Sequence, residues 1–199
     1  MNDLKKTRIK TMMKYTWPFY IVTALMVGFG LSFIFGVTHK MPAYKKLTIF
    51  ISGEVTDSKK FKDDLLTKYE QKELKSVTYI DSKPDDLNYN TKLSVPGYNT
   101  ADILIIPFSK LESVKVSSFG LDLSASLIAE YYPNFTFYTQ DAVSYGVKVN
   151  KEIVKEYMTL PSEDCYMVLS GKSENTGEYS TTQNKDHDIA LNIVKDWGM

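Results

Sequence analysis

One segment stands apart when hydrophobic and polar positions are followed along the chain. From Thr16 to Thr38 it reads TWPFYIVTALMVGFGLSFIFGVT, with no charged residue. Its apolar side chains fall on every side of a helix instead of forming one stripe. At 1.5 Å per residue, about 20 helical residues cross a hydrocarbon core of roughly 30 Å. The pattern therefore predicts a membrane-spanning helix over 16–38. Trp17 and Tyr20 lie at its start, where amphipathic rings favour the interface. Pro18 falls in the first turn, where a missing N–H costs least.

After that segment the period changes. KLTIFIS (46–52) is short, apolar and β-branched, and reads as a strand. Thr56, Asp57 or Ser58 can cap a following helix over 58–73, with Phe61, Leu65, Leu66 and Tyr69 on one face. SVTYID (76–81) is a second strand. A polar stretch broken by Pro84, Pro96 and Gly97 leaves room for a short helix near 85–92. ADILIIP (101–107) is an unbroken apolar run, the mark of a strand covered on both faces. A helical turn over 109–114 and a helix over 125–131 capped by Ser124 follow. FTFYT (135–139) and AVSYGVKV (142–149) then read as paired strands, 151–158 as a short helix stopped by Pro161, and CYMVLS (165–170) as a strand. The last helix, about 186–197, aligns Ile189, Ile193 and Trp197, with Ala190 and Val194 widening the face. Strands alternating with helices predict an α/β sandwich with a mainly parallel sheet.

Charge gives this layout a direction. The chain of 199 residues holds 24 basic and 24 acidic residues, but residues 1–15 hold Lys5, Lys6, Arg8, Lys10 and Lys14 against Asp3 alone. The remainder holds 19 basic and 23 acidic residues. The positive-inside rule keeps the basic tail (1–15) in the cytoplasm and puts residues 46–199 outside, joined to the span by a linker over 39–45. His39 falls at the interface. The apolar run is longer than a signal-peptide core, and its exit, FGVTHKMPAY, lacks a small-x-small cleavage site. An uncleaved anchor in the cell membrane is the expectation, with a cleaved signal as the other reading. Ala24, Gly28, Ser32 and Gly36 recur every fourth residue, so one face of the span could pack closely against a partner helix.

Composition excludes several function classes. Overall neutrality gives no support to a nucleic-acid binder. One cysteine permits neither an internal disulfide nor a multi-thiolate zinc site. No nucleophile-elbow, zincin or phosphate-loop motif occurs. Cys165 reads as buried and inert. Asp186, His187 and Asp188 read as an acid-rich helix start, and no metal or cofactor is expected.

Ser52-Gly53-Glu54 lies between the first strand and its helix. Ligands of open α/β sheets bind there, beyond the carboxyl ends of strands, and Gly53 would let a ligand approach the backbone. The same residues also suit an ordinary strand-to-helix turn. Asp102 could contact a ligand or cap a neighbouring turn. The aromatic-rich region from Tyr131 to Tyr145 could line a cleft or fill the core.

The order of Ser52–Gly53, Ala101–Asp102–Ile103 with Pro107 and Leu111, Asp122–Leu123–Ser124, and Tyr145–Gly146 resembles the first lobe of type 2 extracellular solute-binding proteins, over roughly residues 46–150. That resemblance implies the periplasmic-binding-protein-like II fold, a bacterial host, and a ligand site drawing on Ser52, Gly53, Glu54, Asp102, Pro107 and Tyr145. The stretch between Val149 and Cys165 is too short for the second lobe such proteins close over a ligand, so the chain reads as a one-lobe relative on a stalk. The expected function is recognition of a solute, peptide or protein by a non-enzymatic domain associated with a transporter. The alternatives are an accessory or scaffold subunit of a membrane complex without a small-molecule ligand, and a membrane-anchored enzyme of unrecognised type.

Overall fold

A computed structural model describes residues 2–38, 41–180 and 185–198. His39, with its expected interfacial position, lies outside the described residues. The chain divides into two compact units, Met1–Met41 and Pro42–Met199.

The first unit is one helix, α1 (Asn2–Thr38), with Pro18 inside it. Helix therefore continues through the stretch expected to be a separate basic tail. Within α1, Lys14–Phe33 is long and apolar enough to cross a membrane, and none of that stretch is buried. The Thr16 and Thr23 hydroxyls donate to the carbonyls of Met12 and Phe19, four residues back, at 2.6 and 2.8 Å. These polar groups are thus satisfied within the helix.

The second unit contains, in chain order, β1 (Lys46–Ile51), β2 (Glu54–Val55), α2 (Ser58–Lys68), β3 (Ser76–Asp81), α3 (Tyr89–Lys92), α4 (Tyr98–Thr100), β4 (Ile103–Pro107), α5 (Phe108–Leu111), α6 (Ala125–Tyr131), β5 (Phe137–Gln140), β6 (Val143–Lys148), α7 (Lys151–Val154), β7 (Met158–Thr159), β8 (Cys165–Leu169) and α8 (Ile189–Gly198). A π-helical turn, Leu93–Gly97, joins α3 to α4. Six strands form one sheet in the order β3-β1-β4-β8-β6-β5, and β2 pairs with β7 apart from it. The β3-β1-β4 half is parallel, while β8, β6 and β5 pair antiparallel. The expected parallel arrangement thus holds on one side, and four of the six strands share a direction. The other side is antiparallel because β5 and β6 form a tight hairpin and β8 enters from the opposite edge.

Successive strand residues point to opposite faces, and the sheet is buried on both. One face (Leu47, Ile49, Ile51, Ile103, Ile105, Val147, Met167) packs against α2, α6 and α8 through Phe61, Leu65, Leu127, Ile193 and Trp197. The other (Phe50, Leu104, Ile106, Tyr145, Tyr166, Val168) is covered by Tyr89, Leu93, Leu111, Val116 and Phe119. Asp57 caps α2, accepting from the amides of Lys59 and Lys60 at 3.1 and 2.9 Å. α2 stops five residues earlier than its apolar spacing suggests. The chain tightens into a 3₁₀ turn over Glu70–Lys72, and Glu73 adopts a left-handed φ of 63° that reverses it.

At the amino ends of β1 and β4, Asp102 is a fastening point. Its carboxylate accepts from the Thr48 amide (2.8 Å), the Ser173 hydroxyl (2.5 Å) and the Asn175 amide (3.2 Å), tying the 170–176 loop to the sheet. Burial raises this carboxyl above its ordinary range, and the hydrogen bonds from Ser173, Thr48 and Asn175 pull the other way. A raised carboxyl contributes stability that is complete below its unfolded pKa and is lost as pH rises through the folded one. Asp102→Asn deletes that titration and sets a donor against a donor. It is expected to cost about 1–3 kcal/mol, with the gap to the native chain widening toward acid pH in denaturant titrations.

The hairpin turn between β5 and β6 offers a second check. Asp141 and Ala142 both have positive φ, 52° and 64°, the geometry for which hairpins favour glycine in the second position. Ala142→Gly is expected to stabilise the unit by about 0.5–1 kcal/mol, once the entropy cost of glycine offsets part of the relieved strain. Thermal unfolding would read this as a rise of roughly 1–4 °C.

Candidate functional site

β3 and β4 lie on opposite sides of β1, so the order of connection reverses there. Open α/β sheets bind ligands beyond the carboxyl ends of strands at such a reversal. β1 ends at Ile51. The Ser52 amide donates to the Ile105 carbonyl at 3.0 Å, and its hydroxyl shares a 2.7 Å hydrogen bond with the Tyr89 hydroxyl. Ser52 is fully buried. Burial pushes the Tyr89 phenol up to about 12, against the lowering effect of the Ser52 bond. Ser52 is therefore a strut between β1 and α3 and does not face solvent.

Beyond Gly53 the surface opens into two adjoining hollows. One, about 270 Å³, is lined by Gly53, Glu54, Asp81, Ser82, Lys83, Asp86 and Lys92. The other, about 390 Å³, shares Gly53 and Lys83 and is walled by Pro84, Asp85 and residues 159–163. The Lys83 ammonium pairs with the Glu54 carboxylate at 2.7 Å, both well exposed, and that bond holds the lysine above its usual range. The Lys92 ammonium donates to the Asp81 carbonyl at 3.0 Å. Asp86 accepts from the Ser82 hydroxyl and the Lys83 amide at 3.2 and 3.0 Å. The crevice thus presents both signs of charge, each held by a hydrogen bond or ion pair, and among the described residues no aromatic ring lines it. This chemistry suits a small polar solute carrying donors and acceptors, and it offers no platform for stacking a sugar ring. The α2 N-terminus takes no part, because Asp57 occupies its free amides.

A strap closes one side. β2 pairs with β7 through Glu54↔Thr159 and Val55↔Met158. Lys151 extends its ammonium to the carbonyls of Pro161, Ser162 and Glu163. Glu163 accepts from the Ser109 amide and hydroxyl at 2.9 and 2.8 Å, and the Phe108 amide donates to the Asp164 carbonyl at 2.9 Å. Residues 158–164 are therefore laced to the carboxyl ends of β1 and β4. Gly53 lines both hollows, while the Cβ side of its backbone is already occupied. A Cβ at Gly53 would stand 2.3 Å from the Thr159 carbonyl oxygen, so the group that approaches closely is the chain's own strap.

The structure does not gather the six expected ligand residues into one place. Ser52, Gly53, Glu54 and Pro107 lie along the carboxyl edge, with Pro107 buried opposite Cys165. Asp102 lies at the other end of β4, five residues or about 16 Å away, with its carboxylate committed to the 170–176 loop. Tyr145 is buried in the second core face. The aromatic-rich region divides likewise between the two core clusters. His187 stacks on Tyr44 with ring centroids 3.9 Å apart. Asp188 pairs with Lys72 and accepts from the Tyr131 hydroxyl at 3.2 Å, so the Asp-His-Asp run does not converge. Among the described residues no group of three or more His, Cys, Asp or Glu side chains is placed to hold a metal ion. Cys165 is buried, and burial pushes its thiol up to about 11. In α1, Ala24, Gly28 and Ser32 are exposed along one strip that Gly36 continues by position.

Sequence reasoning missed Asp81, Lys83, Asp86, Lys92 and the strap. The carboxyl-end rule that marked Ser52–Glu54 applies equally to the end of β3, and it would have found Asp81–Lys83. No local signal announces residues 159–163.

The Gly53 contact yields a direct check. Gly53→Ala forces the strap outward, and overpacking of this kind costs typically 1–3 kcal/mol. Thermal unfolding of the variant should show the loss without any ligand, and an unchanged melting point would mean that the strap does not press on Gly53.

No family model matches the chain, and no curated protein does either. Among solved structures, the chain is similar to the maltose/maltodextrin-binding domain MalE from Bdellovibrio bacteriovorus bound to maltotriose. The TM-score is 0.39 and the identity 15%, over 58% of this chain and 33% of that one. The chain thus spans about a third of the length of this neighbour.

Proposed function

We propose that this is a non-enzymatic, single-pass protein of the cell membrane. Its N-terminus is cytoplasmic, and its α/β domain outside recognises a small polar solute at the crevice flanked by Gly53 and Lys83. The observation that carries the recognition reading is the location of that crevice. It is polar, bears both signs of charge, and lies beyond the carboxyl ends of two parallel strands where the connection order reverses. Anchoring is supported by α1 itself. Phe19, Tyr20, Met26, Phe29 and Phe33 are each more than 70% exposed, and so much contiguous apolar surface needs an apolar surrounding. The five cations ahead of the span support that orientation.

A second reading, an accessory subunit whose domain meets only protein, is favoured by the strap. With residues 158–164 laced over the ends of β1 and β4, little of a small ligand would be enclosed at the crevice. Solute-binding-protein-like transport, a transporter partner and helix packing through Ala24, Gly28, Ser32 and Gly36 belong to these two readings as their membrane side.

The deciding experiment is thermal unfolding of the detergent-solubilised full chain against amino acids, peptides, sugars and anions. A ligand at about 100 times its dissociation constant adds about 2.7 kcal/mol to the native state. The solute reading expects an upward shift with a zwitterionic or mixed-charge compound, lost in Lys83→Ala and Asp86→Ala. A flat response across the panel gives the protein-partner reading precedence.

A further inference from the structure

We propose that the N-terminal turns of α1 bind the headgroups of anionic phospholipids. This rests on the membrane reading of α1 and adds to it a choice among lipids.

The argument starts from length. α1 has 37 residues, about 55 Å at 1.5 Å per residue, against roughly 30 Å of hydrocarbon. The span-length stretch begins at Lys14, so the turns before it continue the same helix into the headgroup layer and past it. Those turns carry Lys5, Lys6, Arg8, Lys10 and Lys14, with Asp3 as the single acid. The rise from Lys6 to Lys14 is about 12 Å. A headgroup layer of roughly 5–7 Å and a Debye length of about 8 Å together cover that distance. The cations therefore sit where an anionic surface acts on them.

Their arrangement around the helix sharpens this. Lys6, Lys10 and Lys14 fall at successive fourth positions and form one strip, while Arg8 falls on the opposite side. Like charges four apart destabilise a helix, and no acid stands three or four residues from Lys10 or Lys14 to relieve them. Arg8, Lys10 and Lys14 are exposed. A strip of this kind gains from phosphate groups ranged beside it. Cations on both sides of the helix also rule out one apolar face lying flat on the surface, so the helix stands upright and meets headgroups around its circumference.

The test uses Trp17, three residues from Lys14. The full chain is reconstituted in phosphatidylcholine vesicles containing either phosphatidylglycerol or further phosphatidylcholine spin-labelled near the headgroup. Trp17→Phe serves as the blank that assigns the quenched signal. Spin-labelled phosphatidylglycerol is expected to quench Trp17 at a several-fold lower mole fraction than spin-labelled phosphatidylcholine. That preference should fall toward one at high salt and in a Lys6→Gln, Lys10→Gln, Lys14→Gln variant. Equal quenching by the two lipids overturns the proposal while leaving the anchor intact, and a preference that survives the triple substitution also overturns it. Quenching by neither lipid overturns the anchor reading itself. Equal quenching joined to salt-sensitive retention on duplex DNA would assign the cations to a nucleic acid.

Discussion

Five residues, Ile103 to Pro107, must stay dry on both sides, and the α/β unit is arranged to keep them so. β4 lies between β1 and β8, all of its residues are buried, and each covering layer attaches to the sheet around it. A strand in that position cannot end in water without help. At its entry, Asp102 draws the 170–176 loop over the sheet. At its exit, Pro107 is paired with Cys165, and the next amides are taken by Asp164 and Glu163. The loops that fasten one end and strap the other are consequences of burying the strand between them.

This explains which parts of the molecule could be read from the chain. A strand covered on both faces is written as an unbroken apolar run, so β4 and β8 were plain. The faces of α2 and α8 were plain because helical spacing and burial coincide at Phe61, Leu65, Ile189, Ile193 and Trp197. The helix read over 151–158 forms at Lys151–Val154 but stops before Met158, although Ile153, Val154, Tyr157 and Met158 share a helical spacing. The pairing of Met158 with Val55, a partner about a hundred residues away, overrides it. The crevice was half legible. Gly53 announced a close approach, but a glycine cannot say what approaches it. Lys83, Asp86 and Lys92 sat in a polar stretch that looks the same whether it faces a ligand or only water.

The strap and the crevice also set the terms on which the domain can recognise anything. Its polar groups are held by one another: Lys83 by Glu54, Asp86 by Ser82, Lys92 by a carbonyl. A ligand must replace these contacts one for one, so selectivity would come from matching both signs of charge at once. Affinity gained by enclosure would require residues 158–164 to leave the Ser109 and Lys151 contacts that hold them. The fold thus favours either a modest, exchanging solute site or a surface whose contours are already fixed for a protein.

The entry of the chain into the domain has a mechanical consequence. Residues just before β1 are clipped by the Tyr44–His187 stack and the Lys45–Glu73 ion pair, and β1 runs parallel to β3 and β4 on its two sides. A tug delivered through Pro42 would first strain those two clips. It would then load two ladders lengthwise, so that their hydrogen bonds resist together instead of parting one at a time. A unit entered in this way resists force applied along β1 from Pro42.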